Sequence, residues 1–207
     1  MMNRTRNSDR KGSIWSRLAE FRRDNRGIAA IEFAFIAPIL ITLYFMTMEI
    51  SQGIETNKKV GRIASMVGDL VTQQQIIAKS ELDAILDLGG SVIQPYSRSN
   101  PGIEITAIEI TDESTPKVKV VWSRKLVAGA KSVGASAGST TTVPEKLKIK
   151  GTFLIRVSTD LDYKPMIVWT AAQKSELGLG GTFDALAMDE TYHLRPRMSP
   201  TITCSDC

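Results

Sequence analysis

The chain has 207 residues, of which 43% are apolar and 23% are charged, enough for one domain with an appendage. This composition excludes wholesale disorder, a collagen-like repeat and a polytopic membrane protein. The net charge of +4 is concentrated at one end, because residues 1–26 carry eight Lys or Arg and three Asp or Glu, and the remainder sums to −1. A basic head before a near-neutral body indicates membrane orientation rather than nucleic-acid binding.

The first predicted elements are a short amphipathic helix over 13–22 and a longer apolar segment over 28–48. The longer segment, IAAIEFAFIAPILITLYFMTM, has 21 residues, and Glu32 is its only charge. As a helix it spans about 30 Å, the thickness of the hydrocarbon core of a bilayer. Pro38 breaks soluble helices but is tolerated in membrane spans. We therefore predict a transmembrane helix over 28–48 rather than a buried core helix.

Basic residues on the two sides of this segment predict its orientation. Eight basic residues precede the segment, whereas the fifteen residues that follow it contain only three, Lys58, Lys59 and Arg62. The positive-inside rule then predicts a cytoplasmic N-terminus and a body across the membrane. A cleaved secretory signal is the alternative, but the apolar segment is too long and no small-residue cleavage site follows it.

Helical spacing of apolar residues continues to about residue 74, beside a stripe of small residues that includes Gly53, Gly61 and Gly68. Such a stripe lets two backbones approach closely; a frayed helix, weakened by its glycines, is the alternative. A second helix is predicted over 80–88, with Ser80 as N-cap, Asp83 at the third position and Gly89-Gly90 as its end.

The remaining sequence alternates apolar and polar residues in four segments, 103–110, 117–123, 152–159 and 190–195, which predicts antiparallel strands with one covered face. Small and polar residues over 129–142 predict a flexible loop, and a second loop is predicted from 163 through 181. The predicted fold class is α+β, a long N-terminal helix followed by a small antiparallel-sheet domain.

The segment Arg26-Gly27-Ile28-Ala29-Ala30-Ile31-Glu32-Phe33 combines a glycine with an acid inside the apolar helix. An intramembrane acid is costly, so something should offset it. Cutting after Gly27 would create an α-amine on Ile28, four residues from Glu32. In a low-dielectric packing of helices, that amine on one subunit could pair with the carboxylate of a neighbour. An acid that reaches the interface without a partner is the alternative.

Gly, four mostly apolar residues and Glu-Phe at the start of an apolar helix resemble the processing signature of type IV prepilins. The basic flank and the run IAAIEFAFIAP resemble the TadE-like minor pseudopilins of the tight-adherence (Tad/Flp) pilus system. Val121-Trp122-Ser123, Tyr163-x-Pro165 and the tail 192–207 are consistent with this family.

The resemblance implies that a prepilin peptidase cuts between Gly27 and Ile28, and that Glu32 and Phe33 set the helix register against other pilus subunits and pseudopilins. The expected organisation is a basic cytoplasmic leader (1–27), a transmembrane helix (28–48), a helical stem with a second helix (49–90) and a periplasmic β domain (91–207). Expected partners are the lipid bilayer, the peptidase and pilus subunits, with no nucleic acid. The expected localisation is the bacterial inner membrane.

Catalytic and metal sites are not predicted, and no cofactor is expected. Cys204 and Cys207 form the only cysteine pair, at the C-terminal end of the chain. A structural disulfide is favoured; a redox site would need a following helix, and a zinc site would need more ligands. His193, the single histidine, is expected on the solvent face of a strand. The alternatives to a pilus protein are a tethered periplasmic thiol-redox protein or a membrane-anchored binding domain unrelated to pili.

Overall fold

The computed structural model describes residues 27–166 and 186–207. The predicted helix over 13–22 and part of the second predicted loop, including 178–181, lie outside these residues. The chain divides into two compact units, Met1–Met48 and Glu49–Cys207, and we call the second unit the body. Helix α1 (Ile28–Thr72) contributes to both units.

The first unit contains the apolar part of α1. Nearly all its large side chains are exposed, with Phe33 and Phe35 each 70% accessible. Pro38 lies inside the helix, and the Thr42 hydroxyl donates to the Pro38 carbonyl oxygen at 2.8 Å. Among the described residues, α1 is the one helix long and apolar enough to cross a membrane.

The body is α+β, as predicted. Its helices are the remainder of α1 and α2 (Lys79–Ser91). In chain order the strands are β1 (Ile76–Ile77), β2 (Gly102–Ile110), β3 (Val118–Val127), β4 (Ala130–Ser132), β5 (Phe153–Tyr163), β6 (Leu186–Leu194) and β7 (Thr203–Cys204). Five of them form an antiparallel sheet in the order β4-β3-β2-β5-β6, and the two short strands β1 and β7 pair in parallel. Strands β2, β3, β5 and β6 correspond to the four predicted strands.

The main core lies between the helices and one face of the sheet. Val60, Ile63 and Val67 of α1 are fully buried in one cluster with Ile105 and Val157 of the sheet. Each such side chain contributes roughly 1.5–3 kcal/mol by leaving water. Together these side chains bury one face of the second half of α1 in the core of the body.

The stripe of small residues packs the helix on its own sheet. A Cβ added to Gly68 would lie 2.5 Å from Cδ1 of Leu194, and one added to Gly61 would lie 3.8 Å from Cγ of Glu190. At Gly53 a Cβ would meet nothing within 4 Å. The close approach predicted from these residues is therefore between helix and sheet at Gly68, and α1 does not fray at its glycines.

Strand β2 supplies apolar residues to both faces of the sheet. Ile103, Ile105 and Ala107 belong to the main core, and by ordinary alternation Ile108 and Ile110 face the other way, in a second buried cluster. The register of β2 on β5 is unbroken, whereas its register on β3 shifts between Ala107 and Ile108, which leaves Val121 of β3 without a partner. This bulge changes the phase of β3, so that Val118 joins the second cluster although Trp122 lies in the main core.

Helix α1 ends at Thr72, within two residues of the predicted end near 74. Both predicted boundaries of the second helix were wrong. Helix α2 begins one residue earlier than predicted, with Ala78 rather than Ser80 at the N-cap, because the Glu81 carboxylate accepts the Ala78 N–H at 2.8 Å. Gly89 does not end the helix: a side chain there would lie 2.8 Å from Val67, so glycine allows α2 to pack on α1.

The predicted loop over 129–142 also contains regular structure. Strand β4 pairs with β3 at the edge of the sheet, and Thr140 forms an isolated bridge with Lys119. The small residues of this segment therefore fold back along β3.

Candidate functional site

The predicted processing residues lie at the start of α1. Gly27 immediately precedes the helix, which begins at Ile28, so the bond between them lies at a helix boundary. Ile28 and Glu32 are one turn apart on the same helical face. Both are exposed, as is Phe33. In the part of the chain that the structure describes, nothing lies within 4 Å of where a Gly27 side chain would begin, so these residues do not require glycine there.

A second group of residues surrounds Glu49, the first residue after the apolar segment. Oε1 of Glu49 accepts a hydrogen bond from the Tyr163 hydroxyl at 2.5 Å, and Oε2 accepts the Met166 N–H at 3.0 Å. Burial first, and then the Glu49 carboxylate, raise the pKa of Tyr163 to about 12. Tyr163 is therefore a neutral donor, and both carboxylate oxygens of Glu49 have partners within the body.

Arg98 completes this group. Its guanidinium lies 4.8 Å from the centre of the Tyr96 ring, which stacks on Tyr163 at 5.3 Å. Its Nε donates to the Lys164 carbonyl oxygen at 2.6 Å, and Nη2 donates to Gln52 at 3.2 Å and to Tyr163 at 3.3 Å. Sequence analysis did not identify this group as a site, because its members come from distant segments. The Tyr163-x-Pro165 motif was the only signal.

The C-terminal tail is held on the body by several contacts. Cys204 and Cys207 are joined by a disulfide, with their Cα atoms 5.6 Å apart. Ile202 is fully buried, and its carbonyl oxygen accepts the Trp122 Nε1–H at 2.8 Å. Asp206 accepts the Lys79 N–H at 2.6 Å, a carboxylate at the positive end of α2. The tail thus caps the second helix.

The disulfide bears on the two alternative roles of the cysteines, a thiol-redox site and a zinc site. Ligand atoms of Cys204, Asp206 and Cys207 lie within 4.8 Å of one another. Sulfurs bonded to each other offer no thiolate, and the thiolate is both the metal ligand and the nucleophile. The oxidised pair therefore fits neither a zinc site nor an attacking thiol, and its surroundings serve to place the tail.

We expect neither cysteine of the purified, unreduced protein to react with a maleimide. Changing both to serine should lower the free energy of unfolding by at most about 2 kcal/mol, because the closed loop is very short. Mass spectrometry after labelling and urea titration measure the two effects. Full maleimide labelling of Cys204 and Cys207 in native membranes, without added reductant, would contradict the disulfide.

His193 differs from its prediction as a residue on the solvent face. It is half-buried on β6 opposite Arg156 of β5, and its Nε2 is buried without a hydrogen-bond partner in the described part of the chain. Burial, and then the charge of Arg156, hold the pKa of His193 below its ordinary value. The imidazole is consequently neutral at pH 7.

The predicted processing residues at the start of α1 lie in a segment that is similar to known proteins. Residues 27–66 match the family model described as TadE-like protein. The match begins at Gly27, includes Ile28, Glu32 and Phe33, and ends in the part of α1 that enters the core of the body. It confirms that this segment is similar to TadE-like proteins, and it does not extend to the motifs of the β domain. Searches of curated proteins and of solved structures each found no match.

Proposed function

We propose that the chain is a single-pass membrane protein that acts as a minor pseudopilin or assembly factor of a Tad/Flp-type pilus, with a structural rather than catalytic role. The observation that carries the proposal is the TadE-like segment at the start of an exposed apolar helix. An apolar surface of that length is stable in a bilayer or against other apolar helices, and it is unfavourable in water.

In this proposal the chain has the four parts that the sequence predicts. Residues 1–27 are a basic cytoplasmic leader, and 28–48 cross the inner membrane. Residues 49–90 connect the span to the periplasmic β domain of 91–207, whose tail carries the disulfide. A prepilin peptidase cuts after Gly27, and Glu32 and Phe33 then register the helix against other subunits. The body, held on the same helix, is presented beside the assembling pilus.

The decisive experiment removes the gene and restores it in two forms. We expect the deletion to lose or strongly reduce surface filaments, and the wild-type chain to restore them. A matched chain in which 28–48 is replaced by polyleucine keeps the span but lacks Glu32 and Phe33, and it should not restore them. Electron microscopy of the cell surface measures the result. Normal filaments without the protein would contradict a role in the pilus. Full rescue by the polyleucine chain would show that residues 28–48 act only as a membrane anchor.

Topology is a separate prediction, which rests on the charge asymmetry. A reporter that works only in the periplasm should be active when fused after Cys207 and inactive when fused near residue 20. External protease should degrade the body in spheroplasts but not in intact cells. Protection of the body in spheroplasts would reverse the proposed orientation.

A further inference from the structure

Exposed apolar side chains cluster on one side of the body, just after the apolar segment of α1. Ile50 and Ile54 are 59% and 54% accessible, and Met166 and Leu186 are 49% and 57% accessible. Ile50, Ile54, Pro165 and Leu186 line a cleft of about 330 Å³ whose accessible lining is almost entirely apolar. We call Ile50, Ile54, Pro165, Met166 and Leu186 the apolar rim. Contiguous apolar surface of this kind marks an interaction site.

Glu49, a charged residue beside the apolar rim, does not oppose an apolar partner. Glu49 lines the same cleft, but Tyr163 and the Met166 N–H occupy both of its carboxylate oxygens. A carboxylate with its hydrogen bonds satisfied inside the protein loses less on leaving water than a free one. The rim can therefore enter a medium of low polarity without first separating Glu49 from its partners.

The order of apolar and charged residues along α1 indicates that this medium is the surface of a bilayer. Exposed side chains recur every four residues at Ile50, Ile54, Lys58 and Arg62, along a strip of the helix surface that turns by about 120° from the first to the last. Two exposed isoleucines come first, followed by two exposed basic residues. On β6, Leu186 lies in the cleft of the isoleucines, and Glu190 and Tyr192 line the next cleft with Lys58 and Arg62. Both elements thus change from apolar to polar in the same direction.

This order matches the polarity profile of a bilayer surface. Apolar side chains enter the acyl boundary, while lysine, arginine and tyrosine lie at the level of the headgroups. Ile50 is two residues beyond Met48 in the same helix, so it follows the proposed span by about 3 Å of helical rise. We propose that the apolar rim is embedded in the bilayer surface, with Lys58 and Arg62 farther from the bilayer on the same helix, so that the body rests on the membrane. The proposal depends on the proposed membrane span.

The test uses the full chain, with Cys204 and Cys207 changed to serine, in vesicles of phosphatidylethanolamine and phosphatidylglycerol. Single cysteines carry an environment-sensitive fluorophore at Ile54 or Leu186 in the rim, at Phe35 in the span, or at Val133. Val133 is 57% accessible, the same as Leu186, but it follows β4 at the opposite edge of the sheet from β6. Lipids brominated on their acyl chains quench probes in the bilayer, and iodide quenches probes in water.

We expect brominated lipids to quench the probes at Phe35, Ile54 and Leu186, and iodide alone to quench the probe at Val133. Ile54→Asn should reduce lipid quenching of the Leu186 probe, whereas Val133→Asn should not. Because both side chains are exposed, neither change should disturb the fold.

Other outcomes overturn the inference in distinguishable ways. If the Phe35 probe is quenched by lipid but the rim probes behave like the Val133 probe, the span stands and the embedded rim is wrong. If both quenchers spare the rim probes, protein covers the rim, either a second copy or another part of the chain. If lipid fails to quench even the Phe35 probe, the proposed span fails, and the inference fails with it.

Discussion

Arg124→Ala should lower the free energy of unfolding of the body by about 3 kcal/mol, the lower end of the range for breaking a buried ion pair. Arg124 of β3 holds Asp83 of α2 with Nε–Oδ1 at 2.7 Å and Nη2–Oδ2 at 2.9 Å. The arginine side chain is only 9% exposed and the aspartate 25%. Truncation strands a mostly buried carboxylate beside the core and also removes the packed arginine stem. Urea titration of the detergent-solubilised chain, followed by circular dichroism, measures the loss.

The chain offers a matched control on neighbouring elements. Lys131 pairs with Asp87 of the same helix α2, but the Asp87 side chain is 61% exposed. Exposed pairs contribute roughly 0.2–1 kcal/mol, so Lys131→Ala should have a small effect. Equal losses in the two variants would show that burial does not strengthen the Arg124 pair.

The pH dependence of stability should report the same pair. The hydrogen bonds from Arg124 hold the pKa of Asp83 below its ordinary value, with burial opposing them. A depressed carboxyl pKa stabilises the folded state above the ordinary aspartate pKa, and that contribution disappears as the pH falls through the folded pKa. Arg124→Ala should therefore flatten the stability profile in the acid range relative to wild type.

Local patterns in the sequence were sufficient for the main elements. Period-four spacing from Ile50 through Val71 predicted a helix that continues past the apolar segment, and alternation predicted the four long strands. Ile108 and Ile110 were also visible in the sequence as apolar residues on the second face of β2, where they form a second buried cluster. These features depend on neighbours within a few residues, which a single sequence displays.

Features formed by distant segments were not predictable in this way. Asp206 caps α2 from 127 positions away, and Tyr163 reaches Glu49 across 114. Neither partner has a distinctive local pattern, because a single carboxylate or hydroxyl becomes a cap or a donor only when the fold places it. For the same reason the segment from Gly27 to Phe33 could be recognised from its contiguous sequence. The apolar rim could not, since it joins Ile50 and Ile54 to Leu186.

Gly27→Leu should abolish cleavage after residue 27 while leaving the fold intact. A side chain at Gly27 meets nothing within 4 Å among the described residues, so we expect the effect to arise in the peptidase, whose site the side chain would crowd. Gly53, inside α1, has equally open surroundings, and Gly53→Leu should leave cleavage unchanged. Mass spectrometry of the N-terminus in cells with an active prepilin peptidase distinguishes Ile28 from Met1 or Met2. An uncut wild-type chain would contradict processing, and a cut Gly27→Leu chain would contradict the role of the glycine.

Glu32→Ala should separate assembly from cleavage. It removes a charge that costs about 2.5–3.5 kcal/mol at the centre of a span and less near its end, so insertion should be equal or better. Cleavage after Gly27 should continue, but the new α-amine of Ile28 on a neighbouring subunit would lose the carboxylate that pairs with it in the packed helices. Co-purification with other pilus proteins should therefore fall strongly for Glu32→Ala and less for Glu32→Asp, which keeps the charge on a shorter side chain. Because Glu32 is exposed on α1, loss of folding cannot account for that difference. Wild-type association of Glu32→Ala, with cleavage confirmed, would show that the acid does not act through charge pairing.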